Sequence, residues 1–136
     1  MALSRNTLDA SMNQITREEI RLTIQLQIMA MYRRTFILDE VNRMVEQSTV
    51  GLNNDEWDTG IGYVYRRLRY DRDNLRRLIN SKLRLHRSII RRHAYHIDDI
   101  LYSRATTMEE YCCLDDLEER VNMVVSMYYL NDTMLS

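Results

Sequence analysis

The feature that most restricts the fold of this chain is the absence of proline from all 136 residues. Glycine, the other residue that interrupts helices, occurs only three times, at Gly51, Gly60 and Gly62. The chain is otherwise rich in Leu, Ile, Met, Arg and Glu, which favour helix interiors. The sequence therefore predicts an all-α fold, a bundle of about four helices with long first and central helices and a short N-terminal helix or arm.

Apolar residues at three- and four-residue steps predict a long first helix over residues 17–47. Thr16 and Glu19 match the capping box that opens helices, and Gly51 suits the left-handed position after a helix end. Residues 1–15 are expected to form an arm or a short helix of their own.

A second helical pattern begins after Gly60 and continues without a breaker to about Ser103. As one helix it would be about 60 Å long, so we expect a break near Asn80-Ser81 or around His93. The last helix begins with a capping box at Thr106-Thr107-Met108-Glu109-Glu110. Its predicted packing stripe consists of Leu114, Leu117, Val121 and Val124.

The length of 136 residues predicts a single α-helical domain over residues 1–136. Cys112 and Cys113 are adjacent and poorly placed to bridge each other, which argues against a secreted disulfide scaffold. The sequence shows no leader pattern and no apolar run of the about 18 residues that span a bilayer. We expect a protein that is neither secreted nor transmembrane, located inside the cell or in a virion.

Positive charge is concentrated in residues 65–93, which contain eleven of the nineteen basic residues and only two acids, although the whole chain has a formal charge of −1. Arginine outnumbers lysine eighteen to one. Guanidinium groups bind phosphate and carboxylate through two parallel hydrogen bonds, which an ammonium group cannot do. This distribution predicts a basic surface that meets an anionic partner.

On a helical wheel, arginines of the central pattern fall on the side opposite its apolar stripe. These residues are Arg66, Arg69, Arg76, Arg77, Arg84, Arg87 and Arg91. Tyr70 projects close to this arginine row and is the best candidate for stacking on a base, whereas Tyr63, Tyr65, Tyr95 and Tyr102 are expected to serve mainly in packing. Like charges at this spacing repel, so the row favours an anionic partner.

Three interpretations of the arginine row are open. A nucleic-acid backbone offers a line of phosphates and releases counterions when it binds. The acidic C-terminal helix or a second subunit can neutralise the row instead, as can an acidic partner protein. A purely solvated basic face is the remaining interpretation.

No pattern for catalysis or metal binding competes with the basic surface. His93, His96 and Asp99 spiral around their helix instead of converging, so we predict no metal and no cofactor. His86 and His93 are expected to be hydrogen-bonded interior histidines, and acidic doublets such as Asp39-Glu40 and Asp98-Asp99 are expected to face solvent. No glycine-rich phosphate loop and no nucleophile motif is present, so we predict that the protein is not an enzyme.

Taken together, these features predict a non-enzymatic protein that binds DNA or RNA independently of sequence and forms homo-oligomers. A self-assembling coat or nucleocapsid subunit fits the size and the charge distribution, since nearly neutral subunits can pack together. The alternative is a helical scaffold subunit of a larger complex, whose basic face binds an acidic protein.

Overall fold

The computed structural model describes residues 10–128, with side chains described from Thr16 onward. Within that range the chain forms six α-helices and no β-strand, which confirms the all-α prediction. The helices are α1 (Ala10–Thr49), α2 (Asn54–Tyr70), α3 (Arg72–Leu85), α4 (Arg87–Arg104), α5 (Met108–Cys112) and α6 (Leu117–Tyr128). None of these helices has a stretch long and apolar enough to cross a bilayer.

The chain divides into two compact units. The first, here called the terminal unit, comprises Met1–Met31 and Arg87–Ser136, and the second, the central unit, comprises Tyr32–His86. The single domain predicted for residues 1–136 stays a prediction.

Helix α1 is longer than predicted at its N-terminal end, because it already begins at Ala10. Thr16 lies inside the helix and is not its N-cap, since residues 10–15 contain no glycine or proline that would interrupt the backbone hydrogen bonds. Residues 10–15, which were predicted to belong to an arm or a short helix of their own, are instead part of α1, and residues 1–9 lie outside the described range. At the other end, Gly51 has a φ of +74°, which confirms its predicted left-handed conformation.

Helix α2 begins at Asn54, six residues before the glycine at which the sequence had placed its start. Asn53 is the N-cap, and its side-chain oxygen accepts a hydrogen bond from the backbone N–H of Glu56 at 2.9 Å. Gly60 instead lies inside α2 and is buried. A Cβ at this position would lie 2.5 Å from the carbonyl oxygen of Ser48, so the glycine allows α2 to pack closely against the end of α1.

The long central pattern forms three helices that break at Asp71 and His86, not at Asn80-Ser81 or His93 as predicted. The Nδ1 atom of His86 lies 2.8 Å from the carbonyl oxygen of Lys82, and its ring lies 5.0 Å from the ring of Phe36.

The His86 ring thus lies beside a carbonyl oxygen of the last turn of α3, at the point where that helix ends. At the other break, Asp71 accepts a hydrogen bond from Nε of Arg67 at 3.2 Å. Each break is thus accompanied by a side-chain contact that the hydrophobic pattern does not show.

The predicted capping box near Thr106 is confirmed, because Thr107 is the N-cap of α5 and accepts a hydrogen bond from the N–H of Glu110 at 3.1 Å. The helix then ends after five residues, so the single last helix that was predicted is divided into α5 and α6. Arg120 donates hydrogen bonds to the carbonyl oxygens of Tyr111 at 3.3 Å and Cys113 at 2.5 Å. Its guanidinium group thus binds carbonyl oxygens that would accept backbone N–H groups if the helix continued.

Each unit has an apolar interior built from the predicted stripes. The terminal unit buries residues of α1, α4 and α6, among them Ile20, Ile24, Ile28, Ile90, Ile97, Leu117, Val121 and Val124. The central unit buries Tyr32, Val64, Ile79 and Leu83. Leu114 was predicted to belong to the C-terminal stripe, but it lies between α5 and α6 with 63% of its surface exposed.

Candidate nucleic-acid interface

The structure distributes the predicted binding residues over three helices, and every one of them is exposed. Helix α2 contributes Arg66, Arg69 and Tyr70, α3 contributes Arg76, Arg77 and Arg84, and α4 contributes Arg87 and Arg91. The first six lie in the central unit, whereas the last two belong to the terminal unit.

The prediction of one continuous arginine face assumed one straight helix. A rotation of about 100° per residue holds within each helix, but not across the breaks at Asp71 and His86. The surface that can be described as a unit is therefore smaller, and we call those predicted binding arginines that lie on α2 and α3 the central arginines. They are Arg66, Arg69, Arg76, Arg77 and Arg84.

The central arginines have no ion-pair partner within their own unit. Other arginines of the same unit do have one: Arg43 pairs with Glu40, and Nε of Arg67 lies 3.2 Å from a carboxylate oxygen of Asp71. Asp73, which lies among the central arginines in the sequence, pairs with none of them. The central unit thus presents guanidinium charge that its own carboxylates leave uncompensated.

The central arginines of α3 face in two directions. Ile79 and Leu83 are buried, and Arg77 and Arg84, seven residues apart, lie on the opposite side of the helix. Arg76 lies beside the buried stripe and lines a cavity of about 320 Å³.

Two further arginines of the central unit line this cavity, Arg33 of α1 and Arg72 of α3. We call this site the arginine cavity. Sequence analysis did not include Arg33 and Arg72 among the binding residues. The four-residue spacing of Arg72, Arg76 and Asn80 was the available signal, because it places the three on one side of a helix.

A second, more polar cleft of about 240 Å³ lies in the central unit between α1, α2 and α3. It is lined by the Arg43–Glu40 and Arg67–Asp71 ion pairs and by Tyr63. Glu40 was predicted to face solvent, but it is buried, and hydrogen bonds from Arg43 lower the pKa of its carboxyl group. The cationic groups of this cleft are already paired, so it offers less to an anion than the arginine cavity does.

The tyrosines near the basic segment divide into two groups. The guanidinium carbon of Arg17 lies 4.0 Å from the ring centre of Tyr102, and that of Arg21 lies 4.6 Å from the ring centre of Tyr95, so these two rings pack against cations of their own unit. In contrast, Tyr65, which was expected to serve mainly in packing, is 75% exposed, and Tyr70 is 82% exposed at the end of α2. Its ring face is available to a planar partner.

The terminal unit contains a buried ionic network that sequence analysis missed. Asp98 was predicted to face solvent, but its side chain is fully buried and accepts hydrogen bonds from Arg17, Arg21 and Tyr111. Burial, and then the hydrogen bond to Asp98, raise the pKa of the Tyr111 hydroxyl. The network holds α1, α4 and α5 together, and every polar group in it has a partner.

The groups that could support catalysis or metal binding include two adjacent cysteines of the terminal unit. Cys112 and Cys113 are free thiols, and burial raises the pKa of Cys112, which lowers its thiolate fraction. Between residues 10 and 128, no three His, Cys, Asp or Glu side chains lie close enough together to hold a metal ion.

Comparison of the chain with models of protein families, with curated proteins and with solved structures gives no match. The fold and the site alone therefore define the class of protein: an all-α protein with two compact units, one of which has an exposed and uncompensated set of arginines.

Proposed function

We propose that this protein binds nucleic acid through the central arginines, without catalysing a reaction and without reading the base sequence. The observation that carries the proposal is that five exposed arginines on α2 and α3 have no carboxylate partner in their own unit. Clustered positive charge costs stability unless an anion lies against it, and a nucleic-acid backbone provides phosphates at regular spacing.

The side-chain type supports a phosphate partner. A guanidinium group makes two parallel hydrogen bonds to a phosphate, and eighteen of the nineteen basic residues of the chain are arginines. Contacts to phosphate are the same for every sequence, so binding through these arginines is expected to be independent of sequence. Tyr70 adds an exposed ring on which a base can stack.

Self-assembly into a coat or nucleocapsid, inside the cell or in a virion, belongs to the same proposal. The net charge of −1 allows many copies to approach one another without strong repulsion. Helix α6 also exposes Met123, Met127 and Tyr128, which provide apolar area for contact between copies.

Purification with and without nuclease and high salt tests the proposal directly. We expect protein prepared without nuclease to carry nucleic acid, seen as a raised ratio of absorbance at about 260 nm to that at about 280 nm, because phosphate contacts are broken by salt. The nuclease-treated protein should then bind unrelated oligonucleotides with similar affinity. If it binds neither DNA nor RNA at low salt, the central arginines must be assigned to an acidic protein partner.

A further inference from the structure

We infer that the arginine cavity holds one unpaired nucleotide, with its flanking phosphates at the guanidinium groups and its base on the apolar floor. The inference rests on the proposed function and specifies its ligand: the nucleic acid is bound as a single strand. Three properties of the cavity support it, namely its unpaired cations, its apolar floor and its position on α3.

The first property is the arrangement of the cations around the cavity. Arg33 comes from α1, whereas Arg72 and Arg76 are one helical turn apart on α3. All three side chains are exposed, and none has a hydrogen bond or an ion pair to another residue of the described chain. Three unpaired guanidinium groups around a space of about 320 Å³ suit two phosphates better than any neutral ligand.

The second property is the apolar floor. Ile37 of α1 and Leu75 and Ile79 of α3 line the same cavity, and Ile79 is almost completely buried. A phosphate gains nothing from such a surface, whereas the flat face of a base is removed from water there.

A base within a duplex already has both faces stacked and its edge paired, so only an unpaired base can reach the floor. Asn80, which also lines the cavity, offers an amide donor and acceptor to a base edge.

The third property is the position of the cavity on α3. Arg77 and Arg84 lie on the opposite side of α3 from the buried stripe, so a strand that leaves the cavity and curves around the helix meets further guanidinium groups. An acidic peptide would satisfy the charge of the cavity, but its carboxylates would gain nothing from the apolar floor. The arrangement therefore favours a strand with repeating phosphates.

Fluorescence anisotropy with a labelled single strand of about 12 nucleotides and a duplex of equal phosphate number tests this inference. The parent should bind the single strand more tightly than the duplex. Arg33→Ala should weaken single-strand binding about tenfold, the value of one charge-assisted hydrogen bond, with a smaller effect on the duplex. Ile37→Glu, which places a carboxylate at the floor, should also weaken single-strand binding selectively.

Arg34→Ala is the matched control, because Arg34 is also exposed, neighbours Arg33 in the sequence and does not line the cavity. Both variants remove one charge, so any loss of affinity in Arg33→Ala beyond that in Arg34→Ala measures the contribution of the cavity to binding. Far-UV circular dichroism establishes that each variant remains folded.

Three outcomes would overturn the inference while the proposed function stands. In the first, the parent binds the duplex as tightly as the single strand. In the second, Arg33→Ala and Arg34→Ala lose equal affinity for the single strand and equal affinity for the duplex. In the third, Arg33→Ala binds a glutamate-rich peptide more weakly than the parent does but binds the single strand equally well. A parent that binds no nucleic acid of either kind would instead contradict the proposed function, and the inference with it.

Discussion

Nε of Arg21 donates a hydrogen bond of 2.6 Å to the carboxylate of Asp98, which is fully buried in the terminal unit. Arg17 donates a second hydrogen bond to the same oxygen at 3.0 Å, and Tyr111 donates to the other. A buried carboxylate is costly unless it is paired and hydrogen-bonded, and here both conditions are met. The network therefore connects α1, α4 and α5 in a way that depends on one carboxyl group.

Removal of that carboxyl group should destabilise the protein strongly. Asp98→Ala leaves Arg17 and Arg21 without their buried partner and Tyr111 without an acceptor. We expect a loss of about 3 kcal/mol in the free energy of unfolding, at the lower end of the usual range because both arginines remain partly solvated. Urea denaturation at neutral pH measures this loss.

Asp99→Ala is the matched control for that variant. Asp99 is the next residue and contacts the same two arginines, but 60% of its side chain is exposed. Its removal should cost less than about 1 kcal/mol. Equal losses for the two variants would show that burial of Asp98 is not what makes the network stabilising.

The two glycines of α2 should respond in opposite directions to the same substitution. Gly60→Ala places a methyl group 2.5 Å from the carbonyl oxygen of Ser48 and should cost about 1 to 3 kcal/mol through overpacking. Gly62→Ala meets no atom within 4 Å and should stabilise the helix by about 0.5 to 1 kcal/mol. Thermal unfolding followed by circular dichroism compares them, and two shifts of the same sign would contradict the packing of α2 against α1.

The two leucines around the start of α6 provide a similar test of the terminal core. Leu117 is buried and Leu117→Ala should cost about 2 to 5 kcal/mol. Leu114, three residues earlier, is mostly exposed, and Leu114→Ala should change the stability by no more than about 0.5 kcal/mol. Chemical denaturation that finds the Leu117 variant as stable as the parent would show that α6 does not pack as described.

Glu40 should make the stability of the protein depend on pH. Hydrogen bonds from Arg43 lower the pKa of the Glu40 carboxyl below its ordinary value of 4.5 in the folded protein. Ionised Glu40 therefore stabilises the folded state above about pH 4.5, and this contribution is lost as the pH falls through the folded pKa.

Glu40→Gln should thus be less stable than the parent at about pH 7, and the difference should shrink at about pH 3 when measured by urea denaturation. Arg43→Ala should remove the same pH-dependent contribution, since Arg43 supplies the hydrogen bonds. A difference between parent and Glu40→Gln that stays constant over this range would exclude the paired carboxylate.

Local features of the fold could be predicted from the sequence because they depend on neighbouring residues. The lack of proline indicates helices, Gly51 suits a left-handed turn, and Thr107 caps the helix that follows it. The buried residues Ile79 and Ile97 follow from periodicity alone. Each of these features is decided within one or two helical turns.

Features that depend on distant residues could not be predicted in this way. The break at His86 involves the ring of Phe36 on another helix, and the burial of Asp98 involves Arg17, which lies 81 positions away in the sequence. The arginine cavity likewise needs Arg33 of α1 beside α3. A helical wheel shows which residues share a face, but not which other helix covers that face.

The proposed function makes a last prediction, about how binding depends on salt. If Arg69 contacts a phosphate, Arg69→Ala should weaken binding to unrelated sequences by similar factors. The slope of the logarithm of affinity against the logarithm of salt concentration should become shallower by about 0.7 on a single strand or about 0.9 on a duplex, because one fewer counterion is released. Anisotropy titrations at several salt concentrations give both quantities.

Arg67→Ala is the control that separates contact from net charge. It removes the same charge from the same helix, but the Arg67 guanidinium already binds Asp71 and the hydroxyl of Tyr63. We therefore expect a smaller change in affinity and in slope than for Arg69→Ala. If the two variants lose affinity equally, the protein attracts nucleic acid through its overall field and not through the unpaired central arginines, and the proposed interface would be wrong.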